Sequence, residues 1–214
     1  EKLKLFVTDA GTQMVSAGNY LKKKFTNMLF YTCLCHGLSN LCDTLAQKFK
    51  FAAEFVKSLN NIIYSSSKRL QNFKKFYDLP SPVKSTDSRW GTFLDASKYW
   101  YTNYNSAVQF LNSLDPKEDS GFIKSAKNLI KTNIAKTELE LITVYYSKIS
   151  TIIHQLEKRN QSIELSIELV NSVKDILNNL SFHSVGKELI NRFEEIIDKN
   201  VGYKELVANI QNNP

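Results

Sequence analysis

Three side chains near the N-terminus could do chemistry: Asp9, Cys33 and His36. Asp9 follows the apolar run of residues 3–8 and precedes the short loop of residues 10 and 11. Side chains just beyond the ends of buried strands line the crevice in which open sheets bind ligands and metals, so this carboxylate is a candidate site residue. An aspartate before a helix also suits a turn or N-cap role, in which its oxygen accepts a hydrogen bond from an open backbone N–H.

Cys33 and His36 follow a second apolar run, residues 28–34, which predicts a second strand. A helical pattern fills residues 12–24 between the two runs. Strand, helix and strand in about 30 residues predict a βαβ unit with parallel strands. The carboxyl ends of parallel strands lie at the same edge of a sheet. We therefore expect Asp9 to lie beside residues 33–36.

Two other interpretations of these cysteines remain open. Zinc could bind Cys33, Cys35, His36 and Cys42, although one residue between the first two cysteines is tighter than the usual spacing of zinc ligands. Alternatively, Cys33 is a buried cysteine beside a hydrogen-bonded histidine. Cys35 and Cys42 read as core residues, and His154 and His183 read as structural.

The net charge of +7 is distributed unevenly. Residues 1–107 hold 15 Lys plus Arg against 7 Asp plus Glu, whereas residues 108–214 hold 13 against 14. Lys22, Lys23 and Lys24 form the longest basic run. Such a field attracts polyanions, of which a phosphate backbone is the commonest, but it also suits a surface that only favours solubility.

The rest of the chain, which must position these residues, has the sequence pattern of helices. In seven segments, apolar residues recur at intervals of three and four residues, which is the period of an amphipathic helix. These segments are residues 38–48, 51–64, 68–77, 90–114, 123–159, 163–180 and 187–200. Prolines at 80 and 82 are the strongest break, because proline lacks the N–H donor and displaces its predecessor from helical geometry.

Composition narrows the class of protein. A chain of 214 residues with 43% hydrophobic content suits one large or two small globular domains. It has no run of 18 uncharged apolar residues and no secretory signal pattern, so we expect neither a membrane partner nor secretion. A two-stranded parallel sheet needs further strands and covered faces. Either the remaining strands lie outside this sequence, which we favour, or the βαβ unit packs against the helices in an unusual way.

Three segments together resemble the hAT family of DNA transposases and their domesticated relatives. These segments are residues 6–14 (FVTDAGTQM), residues 33–41 (CLCHGLSNL) and residues 88–92 (SRWGT). The resemblance implies an α+β, mostly α fold. Residues 1–40 would form part of an RNase H-like core, a βαβ unit with two parallel strands, and residues 41–214 an all-helical insertion domain.

The resemblance also assigns roles to the candidate residues. Asp9 would be the second acid of a catalytic triad and would bind Mg²⁺ or Mn²⁺, with the other acids outside this chain. Cys33 and His36 match a Cys-x-x-His element next to DNA. Arg89 and Trp90 match an Arg-Trp element in which the tryptophan stacks on a flipped base and the arginine holds a phosphate. Trp90 alone would otherwise read as a core aromatic.

The resulting hypothesis is a fragment of an hAT-type transposase whose parent cuts and joins DNA by metal-dependent phosphoryl transfer. It implies DNA as partner, a nuclear location, the basic run Lys22 to Lys24 as a DNA contact, and a possible homo-oligomer. A domesticated DNA-binding or protein-interaction module without catalysis is the second hypothesis. A helical scaffold without a nucleic-acid role is the third.

Overall fold

The computed structural model describes residues 3–84, 91–115 and 121–212. It is 77% helical and contains two parallel strands, which confirms the α+β, mostly α fold class. Arg89 and Trp90 lie outside the described residues. None of the described helices combines the length and the apolar character that a membrane crossing requires.

The elements follow one another with short connections. The strands are β1 (Leu5–Thr8) and β2 (Leu29–Thr32). The first helices are α1 (Thr12–Lys24), α2 (Leu34–Lys48), α3 (Lys50–Tyr64), α4 (Ser67–Tyr77), α5 (Thr92–Thr102) and α6 (Tyr104–Ser113). The later helices are α7 (Gly121–Thr132), α8 (Ile134–Leu141), α9 (Ser147–Leu156), α10 (Ile163–Asn178), α11 (Ser184–Lys199) and α12 (Val201–Asn212). A π-helical segment, Ile142–Tyr146, joins α8 to α9.

The chain forms two compact units. The strand unit comprises residues 1–43 and 152–214, and the helical unit comprises residues 44–151. The first division falls close to the boundary at residue 40 that the sequence predicts. Residues 152–214, however, group with the strands, because α12 packs against β2.

The strand unit is organised around the predicted βαβ arrangement. β1 pairs with β2 in parallel, with Leu5 opposite Leu29 and Thr8 opposite Thr32. Helix α1 packs on the sheet at Gly18, where a β-carbon would lie only 2.3 Å from the ring of Phe30. Glycine is therefore required for this close approach between helix and strand.

Helix α12 packs against β2, and the side chain of Asn200, the residue just before α12, pairs with the free backbone edge of β2. Asn200, which is 3% exposed, donates from Nδ2 to the carbonyl oxygen of Thr32 at 2.8 Å and accepts from the Thr32 N–H at 3.1 Å. The amide thus satisfies backbone groups that a further strand would otherwise pair. Beside it, a β-carbon on Gly202 would lie 1.7 Å from the carbonyl oxygen of Phe30.

The helical unit is built around α3, which contacts α4, α5, α7 and α8. Its core includes the fully buried side chains of Phe55, Leu59, Ile63, Leu94 and Trp100. The start of α3 is capped from a distance, because Oε2 of Glu138 accepts the Ala52 N–H at 2.8 Å. Burial raises the pKa of Glu138, against the opposing effect of that backbone hydrogen bond.

Several element boundaries differ from those that the sequence predicts. β2 ends at Thr32 and α2 begins at Leu34, four residues before the predicted start at 38. Asn133 has φ 56°, a left-handed conformation that separates α7 from α8 where the sequence predicts one helix. Helix α12 was not predicted, although Tyr203, Leu206, Val207 and Ile210 recur at i, i+3, i+4 and i+7, as the apolar residues of a helix do.

Candidate functional site at the strand ends

Asp9 and Cys33 are neighbours at the carboxyl ends of the two strands. The last paired residues are Thr8 and Thr32, so the next positions in register are Asp9 and Cys33. The Cys33 N–H donates to the Thr8 carbonyl oxygen at 2.7 Å, which extends the pairing by one residue. We call Asp9, Cys33, Cys35 and His36 the strand-end cluster.

The carboxylate of Asp9 is exposed and takes part in a turn. Its Oδ1 accepts the Gly11 N–H at 2.9 Å, and Gly11 is the N-cap residue of α1. This contact is the turn role that an aspartate before a helix commonly has. The second carboxylate oxygen remains an acceptor for a cation or a polar ligand.

The described residues do not by themselves make a metal site. Within residues 3–84, 91–115 and 121–212, no three His, Cys, Asp or Glu side chains come together in a way that could hold an ion. The zinc site considered for Cys33, Cys35, His36 and Cys42 therefore does not form. Asp9 would supply one oxygen ligand, and a divalent-ion site at the strand ends would need carboxylates from elsewhere.

Cys33 occupies the position just before α2 and is half-buried. A hydrogen bond from the Cys35 thiol is the largest influence on its pKa, and burial opposes it. The His36 side chain and the backbone N–H groups of His36 and Cys35 also donate to its sulfur. Together these contacts lower the pKa of Cys33 to about 5. Thiolates at the amino end of a helix are commonly stabilised in this way.

Cys35 has the opposite character. It is 6% exposed, and the shared hydrogen bond and its burial raise its pKa above the ordinary range. Cys35 thus remains a neutral donor, and Cys33 is the sulfur that ionises first. Cys33, Cys35 and Cys42 form no disulfide bond.

The predicted basic run at the end of α1 is divided among different contacts. Nζ of Lys22 donates to both carboxylate oxygens of Glu205 in α12, at 2.9 and 2.7 Å. Nζ of Lys24 lies 4.8 Å from the centre of the Tyr20 ring. Lys23 and Lys24 are exposed, so these two have the access that an anionic partner would require.

Comparison with protein-family models, with curated proteins and with solved structures finds no match to this chain.

The structure adds residues to this region that the sequence did not indicate. A cavity of about 480 Å³ lies beside the strand ends, between α1, β2 and the start of α12. Its polar lining comes from Asn19, Lys22, Thr32, Lys199 and Asn200. The contribution of Asn200 could not be found from the sequence, because Asn200 and Thr32 are 168 positions apart and no local pattern links them.

Proposed function

We propose that this chain is part of an hAT-type DNA transposase, containing part of an RNase H-like core and a helical insertion. In the parent protein, divalent ions would stabilise the charge of phosphoryl transfer. The described residues do not assemble such an ion site, so the role proposed for this chain itself is to contact DNA and to supply one carboxylate, Asp9.

The observation that carries this proposal is the neighbourhood of Asp9 and Cys33. Asp9 and Cys33 each match a segment of the hAT family and are 24 residues apart in the sequence. The parallel pairing of the strands brings them next to each other at the strand ends. The order of the units also supports it. The chain leaves the strand unit after residue 43, forms the helical unit and returns at residue 152. A core interrupted by a helical insertion has this order.

Direct measurement of DNA binding tests the proposal. Fluorescence anisotropy with a labelled hairpin DNA is expected to show binding at about 50 mM salt that weakens steeply towards about 200 mM. Trp90→Ala is expected to weaken hairpin binding at least about fivefold, because base stacking contributes about 1 to 3 kcal/mol. Phe182→Ala serves as the control, since Phe182 is 69% exposed and belongs to none of the resemblance segments. Absence of binding at the lower salt, or equal binding by Trp90→Ala and the native chain, would contradict the proposal.

One observation favours the second candidate, a domesticated DNA-binding module without catalysis. The Asp9 side chain already accepts the Gly11 N–H, a contact that needs no metal. The two candidates differ in what Asp9→Asn does in the complete parent protein with Mn²⁺. Loss of DNA cleavage with retained hairpin binding supports the transposase, whereas a parent that binds hairpin DNA without cleaving it supports the module.

A further inference from the structure

The entire net charge belongs to the helical unit. Residues 44–151 hold 16 Lys plus Arg against 9 Asp plus Glu, which gives +7. The strand unit holds 12 of each and is neutral. A polyanionic partner is therefore attracted to the helical unit rather than to the strand-end cluster.

Helix α4 has the densest charge in that unit. Its 11 residues include Lys68, Arg69, Lys74 and Lys75 and no acid. Arg69 is held by the protein, since its Nη1 donates to the Ile62 carbonyl oxygen and to Ser65 Oγ at 3.0 and 2.7 Å. The three lysines are exposed and form no ion pair with any acid in the described parts of the chain.

An aromatic side chain stands among these lysines without a packing role. The inward-facing stripe of α4 contains Phe73, which is only 1% exposed, and the half-buried Leu70 and Tyr77. Phe76 lies off that stripe and is 83% exposed, the largest value among the exposed apolar side chains of the described residues. Among the described side chains, the ring that Phe76 contacts is Tyr77, in an edge-on arrangement with 5.2 Å between ring centres. Burial therefore does not explain why phenylalanine occupies this position.

Phe76 shares one face of α4 with two of the lysines. Lys68, Asn72, Lys75 and Phe76 are spaced at i, i+4, i+7 and i+8, so their side chains lie along one line of the helix surface. This line borders a groove of about 860 Å³, whose other side is formed by Phe110 and Ser113 of α6 and by Leu114 and Asp115 just after it. With a rise of 1.5 Å per residue, it extends over about 12 Å.

We propose that this face of α4 and its groove bind single-stranded nucleic acid, with Lys68 and Lys75 on two phosphates of the strand and Phe76 stacked on a base. Cations that follow the backbone and an exposed ring that accepts any base are the two parts of a sequence-tolerant single-strand site. Paired bases in a duplex have no free face for Phe76. Anionic membranes are disfavoured because a helix that lies in a bilayer surface needs a broad apolar face, and Phe76 is the only apolar residue on this line.

This inference goes beyond the strand-end cluster but rests on the proposed DNA partner, so the experiment separates the two. The probe is a labelled oligo(dT) of about 20 nucleotides, longer than the 4 to 16 that a single-strand site commonly covers. The variants are Phe76→Ala and the double substitution Lys68→Gln with Lys75→Gln. Their controls are Phe182→Ala, which also removes an exposed ring, and Lys174→Gln with Lys187→Gln, which removes the same charge from exposed lysines of the strand unit. Circular dichroism checks that each variant is folded.

Phe76→Ala is expected to weaken oligo(dT) binding at least about fivefold. The double lysine variant is expected to reduce the slope of log K against log salt concentration by about 1.4, since each phosphate contact on a single strand contributes about 0.7. Both controls are expected to bind as the native chain does. Native-like binding by Phe76→Ala, or equal losses in the lysine variant and its control, overturns the inference and leaves the proposed DNA partner intact. No binding to oligo(dT) or to hairpin DNA overturns both. Binding to anionic vesicles that depends on Phe76, without binding to oligo(dT), overturns the inference in favour of a membrane.

Discussion

Cys33 is the group of the strand-end cluster that we expect to react with electrophiles, because its pKa is lowered to about 5. An ordinary cysteine has a pKa of about 8.5 and is mostly protonated at neutral pH, so its alkylation rate rises about fiftyfold from pH 6.5 to pH 8.5. With a pKa of about 5, Cys33 is already a thiolate across that whole range. We therefore expect its alkylation by iodoacetamide to be nearly independent of pH between these values, as followed by mass spectrometry of the labelled peptide.

Two variants identify the source of this behaviour. Cys33→Ser should abolish the pH-independent reaction. Cys35→Ala removes the donor with the largest effect on Cys33, so the pKa of Cys33 should rise and the alkylation rate should again increase with pH. A steep increase with pH in the native chain would show that the hydrogen bonds from Cys35 and His36 do not hold the thiolate.

At the scale of elements, the contact between α12 and β2 leaves no room for a larger side chain at Gly202. At Gly202, a β-carbon would collide with the Phe30 carbonyl oxygen, and neither backbone can move without breaking the pairing of Asn200 with Thr32. We expect Gly202→Ala to lower the free energy of unfolding by about 2 kcal/mol or more in urea titrations, through strain and exposed polar groups.

Gly121→Ala is the matched control for that substitution. Gly121 is also a glycine at the start of a helix, but a β-carbon there would meet no described atom within 4 Å. Alanine has the higher helix propensity, so Gly121→Ala is expected to leave stability unchanged or to raise it by up to about 1 kcal/mol. Equal effects of the two substitutions would mean that α12 does not lie against β2 as described.

The sequence predicted elements better than it predicted contacts. The runs of residues 3–8 and 28–34 predicted both strands and their parallel pairing, because a βαβ connection of this length leaves no other simple arrangement. The pairing in turn brought Asp9 and Cys33 together. The start of α2 was misplaced, because Leu34 and Cys35 continue the apolar run of the strand and carry no signal that the backbone turns there.

Contacts between distant segments had no local signal. Asn200 with Thr32, Lys22 with Glu205 and Glu138 with Ala52 each join residues that are 86 or more positions apart. A polar residue in a helical pattern predicts a solvent-facing position, even where a distant segment of the fold provides a hydrogen-bond partner for it. The exposed Phe76 was missed for the opposite reason, since an aromatic residue beside a helical stripe is normally counted as core.

At the scale of the whole molecule, charge follows the compact units and not the halves of the sequence. The count by halves gives an excess of 8 positive charges in residues 1–107, but residues 44–151 alone account for all of the net +7. The strand unit combines basic residues from its N-terminal part with acids from α10 to α12 and is neutral. This division separates a neutral unit that contains the strand-end cluster from a cationic unit that contains α4.

The same division predicts which part of the chain folds alone. Residues 44–151 are continuous and enclose their own core, including Leu59, Trp100, Leu111 and Leu139. Expressed by itself at about 0.15 M salt, which screens the repulsion between its charges, this segment is expected to be helical by circular dichroism, to unfold cooperatively in urea, and to have a radius of gyration of about 13 Å in X-ray scattering. Residues 1–43 are the contrasting fragment. Without residues 152–214 they lose Asn200 as the partner of Thr32 and are expected to remain unfolded. A segment 44–151 that is unfolded while the intact chain is folded would show that the helical unit depends on residues outside it.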